Sequence, residues 1–232
     1  YNGNFKMNLN TKLITKYFIR NLYLICFLLT LNSCQTELID HQNIILIITD
    51  DVGYGDLACY GSEKNSTPNL DQMALEGIRA TQFNAVQAVC SASRAAFLTG
   101  LYPNRIGIHN ALMPNAKIGL HPNEITIAEW LKEDGYQTAL FGKWHLGDAQ
   151  EVLPLNHGFD KYYGIPYSND MCPLHPQQGT VFDFGPLPLI EGNVIIDTLE
   201  DQSFLTKELT IKTLDFIKEN QHDPFFICLA HP

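Results

Sequence analysis

Residues 43–51, NIILIITDD, join a run of apolar, mostly β-branched residues to two adjacent carboxylates. Asn43 to Thr49 has the length of a strand and the near-continuous hydrophobicity of one buried on both faces, the pattern of a strand inside a parallel sheet. Open α/β sheets bind ligands beyond the carboxyl ends of their strands. Asp50 and Asp51 fall at such an end, with Gly53 and Gly55 close behind. Paired carboxylates there suit a hard divalent cation with oxygen ligands, calcium or magnesium. Taken alone, the pair reads equally well as a solvated turn.

Two further polar clusters change that balance. Cys90 opens CSASRAAFLTG, where a helix is predicted to begin, and Arg94 follows four residues later. The free N–H groups of a helix's first turn attract anions, so thiol, guanidinium and a bound oxyanion would meet there. An isolated Cys is otherwise a small buried hydrophobe. The other cluster is FGKWHLG, which follows a predicted helix (Ile127 to Asp134), a stop at Gly135 and a strand-like QTALF. Lys143 and His145 lie two residues apart and point the same way if the strand continues.

The rest of the chain fits one α/β domain with a largely parallel, mixed central sheet and helices on both faces. Its 232 residues, 45% hydrophobic, suffice for a sizeable core. Thr67-Pro68 predicts a helix start and Gly77 its end, with Leu70, Met73 and Ala74 in the core and Asp71 an ordinary first-turn charge. Pro173 to Gly192, rich in Pro and Gly, reads as a long insertion over the edge of the site. A helix from about Ser203 to Glu219 then leads into a strand at Phe225.

Residues 1–34 read as a targeting segment, 35–42 as a linker and 43–232 as the folded domain. Lys12, Lys16 and Arg20 precede an apolar stretch, Leu22 to Leu31, too short to span a bilayer comfortably. The segment ends in LNSC, similar to a bacterial lipobox, which places lipid on Cys34 and the product in the cell envelope, anchored in a membrane or periplasmic. Cys59, Cys172 and Cys228 show no disulfide or metal-ligand spacing. Net charge is −10 for the whole chain and −14 for residues 35–232, which hold 11 basic and 25 acidic residues. Such a surface does not attract nucleic acid, so an anionic substrate must be held by local positive charge.

The segments ILIITDDVGYGDLACYG, TPNLDQMALEGIRATQFNA, VCSASRAAFLTGLYPNRIGIHN, GYQTALFGKWHLG and HGFDKYYGIPYSND together resemble the sulfatase family of the alkaline phosphatase superfamily, from about Asn43 onward. GIPYSND and PFFICLA resemble its arylsulfatase A branch. The resemblance implies cleavage of sulfate esters, of an aryl sulfate or a sulfated glycan, by formylglycine derived from Cys90. One hydroxyl of the hydrated aldehyde attacks sulfur, and the second later expels sulfate. It implies calcium ligands at Asp50, Asp51 and residue 90, Arg94 on the formylglycine oxygens, Lys143 offsetting negative charge, His145 taking a proton, and Ser168 bonding substrate or sulfate. A phosphodiesterase or phosphonate hydrolase of the same superfamily would use the same constellation. A non-catalytic lipoprotein and a cysteine hydrolase pairing Cys90 with His145 are the other classes.

Two departures from the family pattern bear on this reading. Ala92 stands where the maturation motif CxPxR has proline, which fits an anaerobic, radical-type maturase as the partner that converts Cys90. The family pattern also continues past Pro232 to a further His, a second metal pair and a second Lys. With Tyr1 ahead of Met7, the chain reads as the N-terminal part of a longer product.

Overall fold

A computed structural model describes residues 16–21 and 41–232. The chain divides into residues 1–41 and a compact unit, Gln42–Pro232. Within the first of these, residues 16–21 are helical. The greater part of the predicted targeting segment, including Cys34, and most of the linker lie outside the described residues. Among the described residues no helix is long and apolar enough to cross a membrane.

The compact unit is built on a six-stranded sheet. In chain order its elements are β1 (Ile44–Ile48), α1 (Pro68–Glu76), α2 (Cys90–Thr99), α3 (Ile127–Glu133), β2 (Gln137–Lys143), β3 (Lys161–Ile165), β4 (Leu187–Glu191), β5 (Val194–Leu199), α4 (Leu205–Glu219) and β6 (Phe225–Ala230). Strand order is β1-β6-β2-β3-β4-β5. The pairings β1–β6, β6–β2 and β2–β3 are parallel, whereas β3–β4 and β4–β5 are antiparallel.

Side-chain alternation on β6 sorts the core into two layers. Phe226, Cys228 and Ala230 pack with Ala95 and Leu98 of α2 and Ala128 of α3. Phe225, Ile227 and Leu229 pack with Leu205, Leu209 and Phe216 of α4, whose Phe216 meets Phe141 edge-on at 5.9 Å. Helices thus cover both faces, as expected. The predicted bounds of α1, α3 and α4, and the predicted start of α2 at Cys90, hold to within two residues. The Thr126 hydroxyl and the Glu129 carboxylate cap the start of α3 reciprocally.

Four expectations fail. β1 is buried on one face only: Leu46 packs on the core, but Ile45 and Ile47 are 46% and 50% exposed. It is an edge strand, and among the described residues no helix covers its second face. Leu70 and Met73 of α1 are exposed instead of core, Met73 by 60%, because α1 packs on the turn at Ala58–Tyr60 and not on the sheet. Asp71 is more than a first-turn charge, since its Oδ1 accepts from the Cys59 N–H at 2.7 Å and from the Thr67 hydroxyl at 2.9 Å. Finally, the predicted loop Pro173–Gly192 ends as strand β4. Pro188 lies beyond the β3 pairing, which is confined to Glu191 and Ile190, and stands opposite Thr198 of β5, so proline interrupts no ladder to β3.

Candidate active site

The parallel strands β1, β2 and β6 end together, and the predicted polar residues gather at that edge. A cavity of about 640 Å³ is lined by Asp50, Asp51, Cys90 and Arg94, with Phe83 and Phe97 among its apolar residues. Cys90 is the first residue of α2. Val89 before it offers no side-chain cap, so the first-turn N–H groups stay free for an anion. Cys90 is half-buried, whereas Ser91, Ala92 and Arg94 are buried.

Arg94 lies one turn along α2 and reaches back across the sheet edge. Its Nη1 donates to the Lys143 carbonyl at 2.6 Å and its Nη2 approaches Asp50 Oδ1 at 3.5 Å. Lys143 ends β2, with its ammonium fully buried between the Asp50 carboxylate and the Ser168 hydroxyl, to whose Oγ it donates at 2.9 Å. Burial opposes ionisation of Asp50, yet Lys143 and Arg94 together hold its pKa below the ordinary carboxylate value. Because Ser168 Oγ accepts from the ammonium, its own O–H remains to be donated elsewhere.

β2 stops at Lys143, but sheet-like bonding runs on. The Trp144 N–H donates to Ile165 O and the His145 N–H to Pro166 O, both at 3.0 Å. Trp144 is sunk in the core, and its indole N–H donates to Val152 O at 2.9 Å. His145 departs from the strand with φ near +60°. Its Nε2 lies 2.9 Å from the carbonyl of Leu112. A carbonyl only accepts, so Nε2 carries the proton and Nδ1 the lone pair. Nδ1 is buried without a partner among the described residues. Burial, and then the positive charge of Lys143, lower the His145 pKa to about 4, which leaves the ring neutral at pH 7.

Asp50 and Asp51 supply an all-oxygen donor pair, which fits calcium better than a soft metal. Asp51 is exposed and takes a left-handed backbone, φ near +56°, which turns the chain after β1. No group of three or more His, Cys, Asp or Glu gathers among the described residues, so the pair offers only part of the oxygen donors a calcium ion takes. The structure therefore brings Asp50, Asp51, Cys90 and Arg94 to one cavity, with Lys143 joining Asp50 to Ser168 and His145 two residues further along the chain. The sequence reading passed over Ser91 and Leu112. Leu112 acts through its main chain, which no residue type signals.

Comparison with known proteins gives the family. A family model described as Sulfatase matches residues 42–231. The chain belongs to the sulfatase family. Arylsulfatase A of Bos taurus is 49% identical over 204 residues, a match covering 81% of this chain and 40% of that protein. Among solved structures, the PsFucS1 sulfatase from Pseudoalteromonas sp. is similar with a TM-score of 0.68 and 28% identity, over 82% of this chain and 43% of that one. BT4656, solved in complex with its substrate D-glucosamine-2-N,6-O-disulfate, gives a TM-score of 0.63 and 29% identity, over 82% and 34%. The chain thus spans less than half the length of these relatives.

Proposed function

We propose that this protein hydrolyses sulfate esters, with Cys90, converted to formylglycine, as its nucleophile and calcium held by Asp50 and Asp51. One observation carries the reading: Cys90, Arg94 and both aspartates line one cavity, while Lys143 ties Asp50 to Ser168 beside it. As formylglycine, residue 90 would supply a hydrated aldehyde, a nucleophile able to release sulfate through its second hydroxyl. Calcium would polarise the sulfate oxygens and favour the ionised nucleophile.

The chain's own residues account for the remaining work. Arg94, fixed by the Lys143 carbonyl, holds oxygen at residue 90. Lys143 places positive charge beside developing negative charge in a site with little water. His145 offers its Nδ1 lone pair to the proton of the second hydroxyl. Ser168 donates its free O–H to the substrate. An anaerobic-type maturase would convert Cys90, and the leader ending at Cys34 would carry lipid and hold the product in the cell envelope. Sulfated glycans are the favoured substrates, because BT4656 was solved with a sulfated sugar and a surface lipoprotein meets such polymers.

The test is to express the natural gene with an anaerobic-type maturase, weigh the peptide containing residue 90, and assay aryl and glycan sulfates beside phosphate diesters. Expected are the aldehyde mass and sulfatase turnover that falls by roughly 10³-fold or more in Cys90→Ala. Substantial turnover by Cys90→Ala, or a higher kcat/KM on the diesters, would overturn the proposal.

A further inference from the structure

Ser91 takes no part in the chemistry above, yet it is fully buried beside the nucleophile position. Its Oγ accepts the Leu112 N–H at 2.9 Å, and the carbonyl of the same Leu112 accepts the His145 Nε2–H at 2.9 Å. The loop at Leu112 has no ladder of its own, for residues 109–126 form neither helix nor strand. Two of its other anchors face the segment after His145, Asn115 N–H donating to Asp148 at 2.6 Å and Leu120 N–H to Leu146 O at 2.8 Å, and Gln87 Nε2, ahead of α2, donates to His109 O at 2.9 Å. Among the described residues Ser91 makes the hydrogen bond that fastens this loop to the first turn of α2 itself.

We infer that Ser91 is a positioning residue which, through the main chain of Leu112, fixes the tautomer and ring orientation of His145 relative to residue 90. The inference rests on the reading of His145 as the base. With the loop fastened, the Leu112 carbonyl accepts from Nε2 and leaves Nδ1 as the unpartnered acceptor. Without the Ser91 Oγ, the buried Leu112 N–H loses its partner and the loop must shift to satisfy it. The carbonyl shifts with it, and nothing then selects the Nε2–H tautomer. The alignment needed for proton transfer is lost with it.

The experiment reads the tautomer directly, by ¹⁵N NMR of the His145 ring at pH 7 in protein whose Cys90 is left as the thiol. Expected is an Nε2–H tautomer in the wild type, a mixture in Ser91→Ala, and the wild-type state again in Ser91→Thr, which keeps the hydroxyl oxygen. In matured protein, kcat per formylglycine falls roughly 10- to 100-fold in Ser91→Ala with KM unchanged, and Ser91→Thr restores it. Ser91→Ala causes no further loss in a His145→Ala background. An Nδ1–H tautomer in the wild type, an unchanged ring in Ser91→Ala, or additive losses in the double variant would overturn the inference. Near-normal turnover by His145→Ala alone would instead overturn the base role, and the tautomer measurement tells that failure apart.

Discussion

Asp50 and Asp51 are neighbours of one residue type with different energetics. The Asp50 carboxylate is shared by Lys143 and Arg94, and the Lys143 ammonium has no exposure at all. Asp51 is exposed, and no ion pair among those described includes it. Neutralising Asp50 strands a buried ammonium, a change that costs about 3–5 kcal/mol when a buried pair is broken. Asp50→Asn is therefore expected to lower the urea midpoint strongly, while Asp51→Asn shifts stability by no more than about 0.5 kcal/mol. Both variants should lose calcium-dependent turnover, and excess chelator should reduce wild-type activity to their level. Equal stabilities for the two would remove the distinction.

The sheet edge under the site depends on a row of small residues. Gly142 of β2 pairs with Ala230 of β6 on one side and Gly164 of β3 on the other. Gly142 has φ near +118°, and a Cβ there would lie 1.9 Å from Ala230 O. A Cβ on Gly164 would lie equally close to Gly142 O. Main chain blocks both positions, so relaxation requires strands to part. Gly142→Ala is expected to cost about 3 kcal/mol or more, a loss of roughly 6–12 °C in Tm, and to displace the Lys143 carbonyl that holds Arg94. Calorimetry and turnover should fall together, and an unchanged Tm would refute this account. Local chemistry made much of the element map readable from residues alone: the Thr-Pro start of α1, the Gly135 stop after α3, and the strand-ending polar clusters. The exposed faces of β1 and α1 were not readable, because burial depends on what packs against an element, not on its own residues. Strand β4 was hidden because its proline sits where pairing to β3 has lapsed, a register fact no window of sequence contains. The Ser91–Leu112–His145 chain escaped for a related reason, since its central link is a backbone unit.

Charge and burial together set how the whole molecule answers to acid. His145 and His157 lie within the core, and His231 close to it. Burial lowers the pKa of all three, that of His145 to about 4, with Lys143 adding to the effect there and Glu129 opposing it at His157. Among the described residues His157 has no partner for either ring nitrogen, and it packs 5.7 Å from the Trp144 ring. A group whose folded pKa lies below its unfolded value contributes stability at high pH that is lost as pH falls. The unfolded chain takes up protons below about 6.5, while the folded protein resists them until nearer pH 4 at His145. Stability should therefore decline from about pH 6.5 downward, with each neutral buried histidine adding a slope of up to about 1.4 kcal/mol per pH unit. Asp50 and Asp160, held below the ordinary carboxylate value, add their loss only under pH 4. The two windows separate in a variant: His157→Phe keeps an aromatic ring against Trp144, removes one titrating group, and is expected to flatten the urea-derived stability curve just below pH 6.5 while leaving the fall below pH 4 intact. A curve for His157→Phe parallel to the wild type across the upper window would show that His157 is protonated as easily in the fold as out of it, contrary to its burial beneath the Lys143–His145 segment.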